Sequence, residues 1–360
     1  MNVNIKTDLW HYLAKSDRPI VMYGMGNGAD KIIAVCEKYG IEISDFFASD
    51  GFVRGHSFHG KTVISYSAMK EKYQGQNPIV LLSFASSLPD VMVLFKKVGE
   101  ECEMYAPDVP VFGDTLFTIE FFEENRERFE RVYDDLADEE SKRIYENVIC
   151  YKLTGNVKYL WESENDKKTV YEEILDCKNI KSYLDLGAYN GDTIREMLLY
   201  NPSLERAIAL EPDARNFRKL SEYAQGTSLE INCVNAGAWN ENGVILFDAS
   251  GNRNAGIVSK GNIVSKVKEV NVVSVDSVLD GGAVDYIKYD VEGSEREAIL
   301  GSANTIKNYS PKLLISLYHR SEDLFSLPEL IKEINPDYSL YLRRFPYIPA
   351  WDLNLYAIKK

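Results

Sequence analysis

Five short apolar runs, each with a polar or charged residue at or near its end, order the second half of this chain. They are SYLDLG (182–187), RAIALEP (206–212), LEINCVNAG (229–237), VDYIKYDVEG (284–293) and PKLLISLYH (311–319). Strand-like runs separated by helix-length segments are joined as parallel strands through crossovers, so the region is expected to form an open α/β sheet. The final stretch, YSLYLRRFPYIPAWDLNLYAIKK, alternates apolar and polar residues around a proline-bearing loop and reads as an antiparallel pair at the sheet edge. In such a sheet ligands lie beyond the carboxyl ends of the strands, where strand order reverses.

The first hundred residues repeat the pattern on a smaller scale. PIVMYG (19–24) reads as a buried strand, ADKIIAVCEKYG (29–40) as a helix ended by Gly40, ISDFFASD (43–50) and PIVLLSF (78–84) as strands, and LPDVMVLFKKVG (88–99) as a helix ended by Gly99. Between Thr115 and Asp176 the sequence is highly charged and poor in glycine, with Phe121, Phe122, Phe129, Val132, Tyr133 and Leu136 at near-helical spacing. The expected organisation is therefore a Rossmann-like parallel domain over 1–114, a helical connector over 115–176 and a second α/β domain over 177–360. A length of 360 residues suits two domains.

Composition narrows the partners. A formal charge of −14 repels a phosphate backbone, which argues against nucleic acid. Five scattered cysteines form no C-x-x-C pair, no apolar run is long enough to span a bilayer, and the N-terminus lacks a secretory pattern. A cytoplasmic protein acting on a small molecule is expected, with no metal.

In SYLDLGAYNGDT, Asp185 ends the strand, Gly187 opens the turn and Gly191 precedes a helix. A dinucleotide turn needs G-x-G-x-x-G, so that a middle glycine lets backbone amides reach a pyrophosphate. Here Ala188 and Tyr189 occupy that place. Glu211-Pro212 ends the next strand, about twenty residues on, where a carboxylate accepts ribose hydroxyls. Asn235-Ala236 ends the third, offering polar groups to an adenine edge. An amino-acid tail at the turn (Asp185, Gly187, Ala188, Tyr189, Gly191, Asp192, Thr193), ribose at Glu211 and adenine at Asn235 describe S-adenosyl-L-methionine better than NAD.

On these residues the chain resembles the FkbM-type methyltransferases of the class I S-adenosylmethionine-dependent group, over about residues 138 to 360. The resemblance rests on DLGAYNGDT, ALEPDARNFRKL, NAGAW and above all IKYDVEGSEREAILG (287–301), which keeps Lys288, Asp290, Glu292, Gly293, Glu295 and Gly301 of a K-x-D-x-E-G-x-E pattern. It implies a seven-stranded sheet with an antiparallel last strand and methyl transfer to a hydroxyl, often of a sugar or polyketide-like product.

Such a transfer needs alignment and a base for the acceptor proton. Asp290, at the carboxyl end of the fourth strand, is the first candidate for that base, or for holding the donor's amino group. Lys288 shares its face and is suited to keep it ionised. His319 ends the neighbouring strand, with an ordinary pKa suited to taking a proton. Asp290, Glu292 and Glu295 form a lesser candidate for a metal. Arg253 and Asn254, in a glycine-rich loop, are candidates for a lid.

VMYGMGNGAD places Gly24, Gly26 and Ala29 between a strand and a helix, and Asp50 ends the next strand. With FHGKTVIS, this run resembles the nucleotide-sugar-binding domain of bacterial sugar N-acetyltransferases over about residues 18 to 86. That resemblance implies a diphosphate at Gly24 and Gly26 and a ribose at Asp50. Sugar O-methylation is the expected function. A nicotinamide-dependent nucleotide-sugar oxidoreductase or epimerase, and a non-catalytic sugar-nucleotide-binding subunit, are the alternatives.

Overall fold

PIVMYG folds as β1 (Ile20–Tyr23), buried along its length, and GMGNG behind it turns the chain through φ values of 111° at Gly24 and 105° at Gly26 into α1 (Asn27–Lys38). β2 (Asp45–Ala48), β3 (Ile64–Ser65), β4 (Ile79–Leu82) and β5 (Glu103–Tyr105) complete a parallel sheet of order β3-β2-β1-β4-β5. Strand order reverses between β1 and β4. Helix α2 (Pro89–Glu101) passes through Gly99, where the sequence suggested a stop. A Cβ there would meet only Met104 and Trp161, at 3.4 and 3.6 Å, and the stripe of Met92, Phe95 and Val98 carries the helix across the sheet.

This architecture comes from a computed structural model that describes residues 1–248 and 267–359. Arg253 and Asn254 lie outside the described residues.

Residues 115–176 are helical, as their spacing predicts, and join the second sheet's core. α3 (Arg126–Asp135) and α4 (Glu139–Thr154) bury Phe129, Val132, Ile144, Tyr145, Val148 and Ile149 against it, and the Tyr145 hydroxyl donates to the Leu324 carbonyl at 2.9 Å. Asp138 caps α4 through the Ser141 N–H. Gly155, at φ 65°, ends it in the left-handed conformation that glycine adopts without strain.

The second domain runs β6 (Ser182–Leu186), α5 (Asp192–Tyr200), β7 (Arg206–Leu210), α6 (Ala214–Gly226), β8 (Glu230–Val234), β9 (Gly237–Ala238), β10 (Gly243–Asp248), β11 (Val267–Val273), β12 (Tyr286–Tyr289), β13 (Lys312–Ser316), α7 (Asp323–Ile334), β14 (Ser339–Arg344) and β15 (Leu353–Ile358). Its seven-stranded sheet has the order β8-β7-β6-β12-β13-β15-β14. The first five strands are parallel, and β15 lies antiparallel to both its neighbours. A smaller sheet, β9-β11-β10, was not foreseen. Its first strand is two residues long and hides within what reads as the tail of LEINCVNAG.

Period-two alternation divides the large sheet. Leu184, Leu186, Ile287 and Tyr289 join the core on the α4 side, and Tyr183 and Tyr286 the core on the α5 side. The same alternation places Asp185 and Lys288 on the α5 side.

Contacts near the strand ends join the halves. Ser86 and Ile348 exchange backbone hydrogen bonds of 2.9 and 3.0 Å, and the Phe112 N–H donates to the His319 carbonyl at 2.9 Å. All five cysteines are unpaired. Among the described residues no helix is long and apolar enough to cross a membrane.

Candidate active site

Strand order reverses between β6 and β12, and their ends touch. The Asp290 N–H donates to the Leu186 carbonyl at 3.2 Å, and a Cβ at Gly187 would overlap the carbonyl oxygen of Asp290. With φ at 83°, this position requires glycine twice over. The N–H groups of Gly187 and Ala188 both donate to the Leu210 carbonyl, at 3.1 and 2.9 Å, folding the turn towards β7. Tyr189 is left-handed, at φ 47°, and 47% exposed, so its ring stands off the turn. Gly191 leads into α5, with Asp192 and Thr193 as its first residues. The Thr193 hydroxyl donates to Asp185, which is fully buried and also faces Lys288.

Glu211 is held by backbone N–H groups. Its Oε2 accepts from the Tyr189 N–H at 2.9 Å and its Oε1 from the Asp213 N–H at 2.7 Å. Burial pushes its pKa up to about 7, against the help of those two N–H groups. Its carboxylate lines a cavity of about 260 Å³ whose other walls include Pro212, Ala236, Ala238, Trp239 and Val272. Asn235 is turned away from that wall, its Nδ2 donating to the Glu211 carbonyl at 2.8 Å. It fixes the strand end.

The far end of this cavity is Asp290, Tyr318, His319 and Phe112. Asp290 accepts from the Tyr318 hydroxyl at 3.0 Å, and Lys288 Nζ lies 3.4 Å from its Oδ2 and 3.3 Å from Asp185. Burial favours the neutral acid, but Lys288, His319 and Tyr318 outweigh it and hold the Asp290 carboxyl below its usual range. Burial likewise opposes the Lys288 charge, and Asp185 and Asp290 overcome it, so its pKa is raised. On the other side of Asp290 lies a polar cavity of about 350 Å³ with Asp192, Thr193, Lys288, Tyr347, Trp351 and Asp352 among its walls. Asp290 and Tyr318 line both spaces.

His319 is not the neutral base that its ordinary pKa suggested. Its Nδ1 lies 2.8 Å from Glu295 and its Nε2 3.7 Å from Asp290, with 3% of the side chain exposed. Burial would lower its pKa, but Glu295, Asp290 and Asp323 raise it to about 9, so near neutrality it is an imidazolium. Glu295 also accepts from the Val291 and Gly293 N–H groups, at 2.9 and 3.0 Å, which shapes the loop after β12. Asp290, Glu295 and His319 lie close enough to ligate an ion, with donor atoms within 4.8 Å of one another. Each ring nitrogen faces a carboxylate, and the protonated ring also brings positive charge to the group. Glu292, weighed with these acids from the sequence, is outside the group.

Tyr318, Phe112 and Trp351 escaped the sequence reading. Tyr318 was within reach, because alternation puts it on the face of Lys288 and Asp290. Phe112 comes from a segment two hundred residues away, and nothing local marks it.

In the first domain, a cavity of about 410 Å³ opens at the switch point of β1 and β4, lined by Met25, Asn27, Gly28 and Phe84 among others. Gly24 and Gly26 are outside its lining. Gly24 is pressed against Ser83 and Phe84, and Gly26 faces open space. Both carboxylate oxygens of Asp50 are used by Ser67, accepting from its N–H at 2.9 Å and its hydroxyl at 2.6 Å. None of the three lines that cavity.

Residues 185–343 match the family profile described as the methyltransferase FkbM domain. Among solved structures, methyltransferase FkbM from Methylobacillus flagellatus KT is 23% identical, with 95% of this chain and 90% of that chain aligned at a TM-score of 0.72. The shared fold thus extends over both sheets. Aeropyrum pernix fibrillarin with natively bound S-adenosyl-L-methionine aligns over 51% of this chain and 68% of its own, at 13% identity and a TM-score of 0.33. Precorrin-6y C5,15-methyltransferase from Geobacter metallireducens aligns over 55% and 94%, at 13% identity and a TM-score of 0.33. No protein of curated function matches the chain by sequence.

Proposed function

We propose that this chain, whose residues 185–343 match the methyltransferase FkbM domain profile, methylates a hydroxyl of a sugar or sugar-bearing small molecule, with S-adenosyl-L-methionine as donor. The observation that carries the reading is the position of Asp290 and Tyr318, between an acid-bearing apolar cavity and a polar one.

The residues suit that donor. Glu211 presents a buried carboxylate, each oxygen of which accepts one backbone N–H and keeps a further lone pair for a ribose hydroxyl. Pro212, Ala236, Ala238 and Val272 offer apolar walls to a purine, and Trp239 an aromatic one. The amino-acid tail would lie along the turn at Gly187, near Asp290 and Thr193. When bound, the donor supplies a methyl group already activated by a sulfonium. What remains for the protein is alignment, exclusion of water and removal of one proton.

Asp290 takes that proton. Its lowered pKa makes it a weak base towards a free hydroxyl, so the proton moves late, once the acceptor oxygen has begun to carry positive charge and become strongly acidic. Lys288 and His319 keep Asp290 ionised for this step, and Tyr318 fixes its orientation. The acceptor hydroxyl enters from the polar cavity, where Asp352 and Asn354 offer hydrogen bonds and Trp351 and Tyr347 offer ring faces, a combination suited to a sugar.

The test is transfer of label from methyl-tritiated S-adenosyl-L-methionine to a panel of free and glycosidic sugars. Label appearing on a hydroxyl in the wild type, and lost in Asp290→Asn, supports the reading. Label found only on nitrogen or carbon acceptors overturns it.

A further inference from the structure

The cavity beneath the first sheet is walled in part by the catalytic domain. The loop between β14 and β15 sends Pro349 and Trp351 into it, and Trp351 also lines the polar cavity beside Asp290. That loop is tied to the first sheet by the paired backbone bonds of Ser86 and Ile348. The two spaces therefore share one indole as a wall. The first domain is placed to contact whatever extends from the reaction centre past Trp351.

The lining says what chemistry it would take. Its polar side chains are Asn27, Lys31 and Ser83; Lys31 donates to the carbonyls of Pro110 and Val111 at 2.9 and 3.2 Å, and Ser83 donates to the Tyr23 carbonyl at 3.0 Å. Met25, Phe84, Val109, Pro349 and Trp351 face the space with apolar surface. A nucleoside diphosphate would need counter-charge and a ribose acceptor, but Lys31 is held on two backbone carbonyls and, among the described residues, no acidic side chain lines the cavity.

We propose that this cavity binds an apolar moiety, aryl or alkyl, at the remote end of the methyl acceptor, so that the substrate is an amphipathic glycoside with its hydroxylated end at Asp290. The inference rests on the function proposed above for the identity of the acceptor. The cavity's preference for an apolar ligand is testable apart from it.

The experiment titrates the full chain with the neutral dye N-phenyl-1-naphthylamine. Saturable one-to-one binding is expected, with energy transfer from tryptophan that drops sharply in Trp351→Phe. Ala85→Trp, which fills the cavity, should weaken the dye by about tenfold or more, while Ile245→Trp in the donor cavity leaves it unchanged. Dye affinity indifferent to Ala85→Trp, transfer indifferent to Trp351→Phe, or no saturable binding overturns the proposal. In the same preparation, 4-nitrophenyl glycosides should displace the dye and the matching methyl glycosides should not. Equal behaviour of the two series also overturns it. Failure of S-adenosyl-L-homocysteine to bind would instead remove the donor reading and leave the dye result standing.

Discussion

Lys288 and Asp185 stand opposite one another in register on adjacent parallel strands, Nζ 3.3 Å from Oδ1, with 9% and 0% of their side chains exposed. A charge pair so deep in a sheet is costly to break from one side, because the survivor is left buried and unpaired. Lys288→Met should therefore lower unfolding free energy by about 3–5 kcal/mol, and Asp185→Leu added to it should restore a large part. Urea denaturation checks this. A double variant as unstable as the sum of the singles would show that the pair is not coupled.

Asp290→Asn separates proton removal from donor binding. The account expects turnover to fall by about two to four orders of magnitude with little change in S-adenosyl-L-homocysteine affinity. Collapse of that affinity, read by calorimetry, would make Asp290 a ligand for the donor's ammonium instead of the base.

The imidazolium of His319 carries a pH signature. Its folded pKa is raised from 6.5 to about 9, so its contribution to stability is fully present below about 6.5 and is lost as pH rises through about 9. Buried Asp323, raised to about 8 by burial and by Glu295, acts in the same direction as its proton leaves. The melting temperature should fall between pH 6.5 and 9.5 in the wild type, and by less in His319→Gln. Parallel profiles would remove the charge assigned to the ring.

The strands and turns were legible where one local signal decides them. The run of SYLDL, the left-handed glycine after it and the paired strands of the tail follow from apolar spacing and backbone sterics alone. In the small sheet at 237–273, β9 has no length to show alternation, whereas GVILFD and VKEVNVV, which form β10 and β11, were long enough to read and were missed. Within the site, strand parity was enough to place Lys288 beside Asp290. The role of His319 was not legible, since its pKa depends on Glu295 and Asp323, brought to it by the loop after β12 and the start of α7. Asp50 misled for the same reason. It does end a strand-like run, but its carboxylate accepts from Ser67 and lies outside the lining of the first domain's cavity.

The most direct measurement of the central claim is a calorimetric titration of the full chain at pH 8 with S-adenosyl-L-homocysteine and, separately, with NAD, repeated on Glu211→Ala. If, as proposed, ribose hydroxyls donate to the ionised carboxylate, binding should weaken as pH falls below about 7, towards a limit of about tenfold per pH unit. The account predicts one-to-one binding of S-adenosyl-L-homocysteine, no heat from NAD, and an affinity lower by about ten- to hundredfold in the variant, for the loss of about 1.5–3 kcal/mol of hydrogen bonding to a charged acceptor. Binding of NAD in its place, or an affinity that Glu211→Ala leaves unchanged, would contradict it.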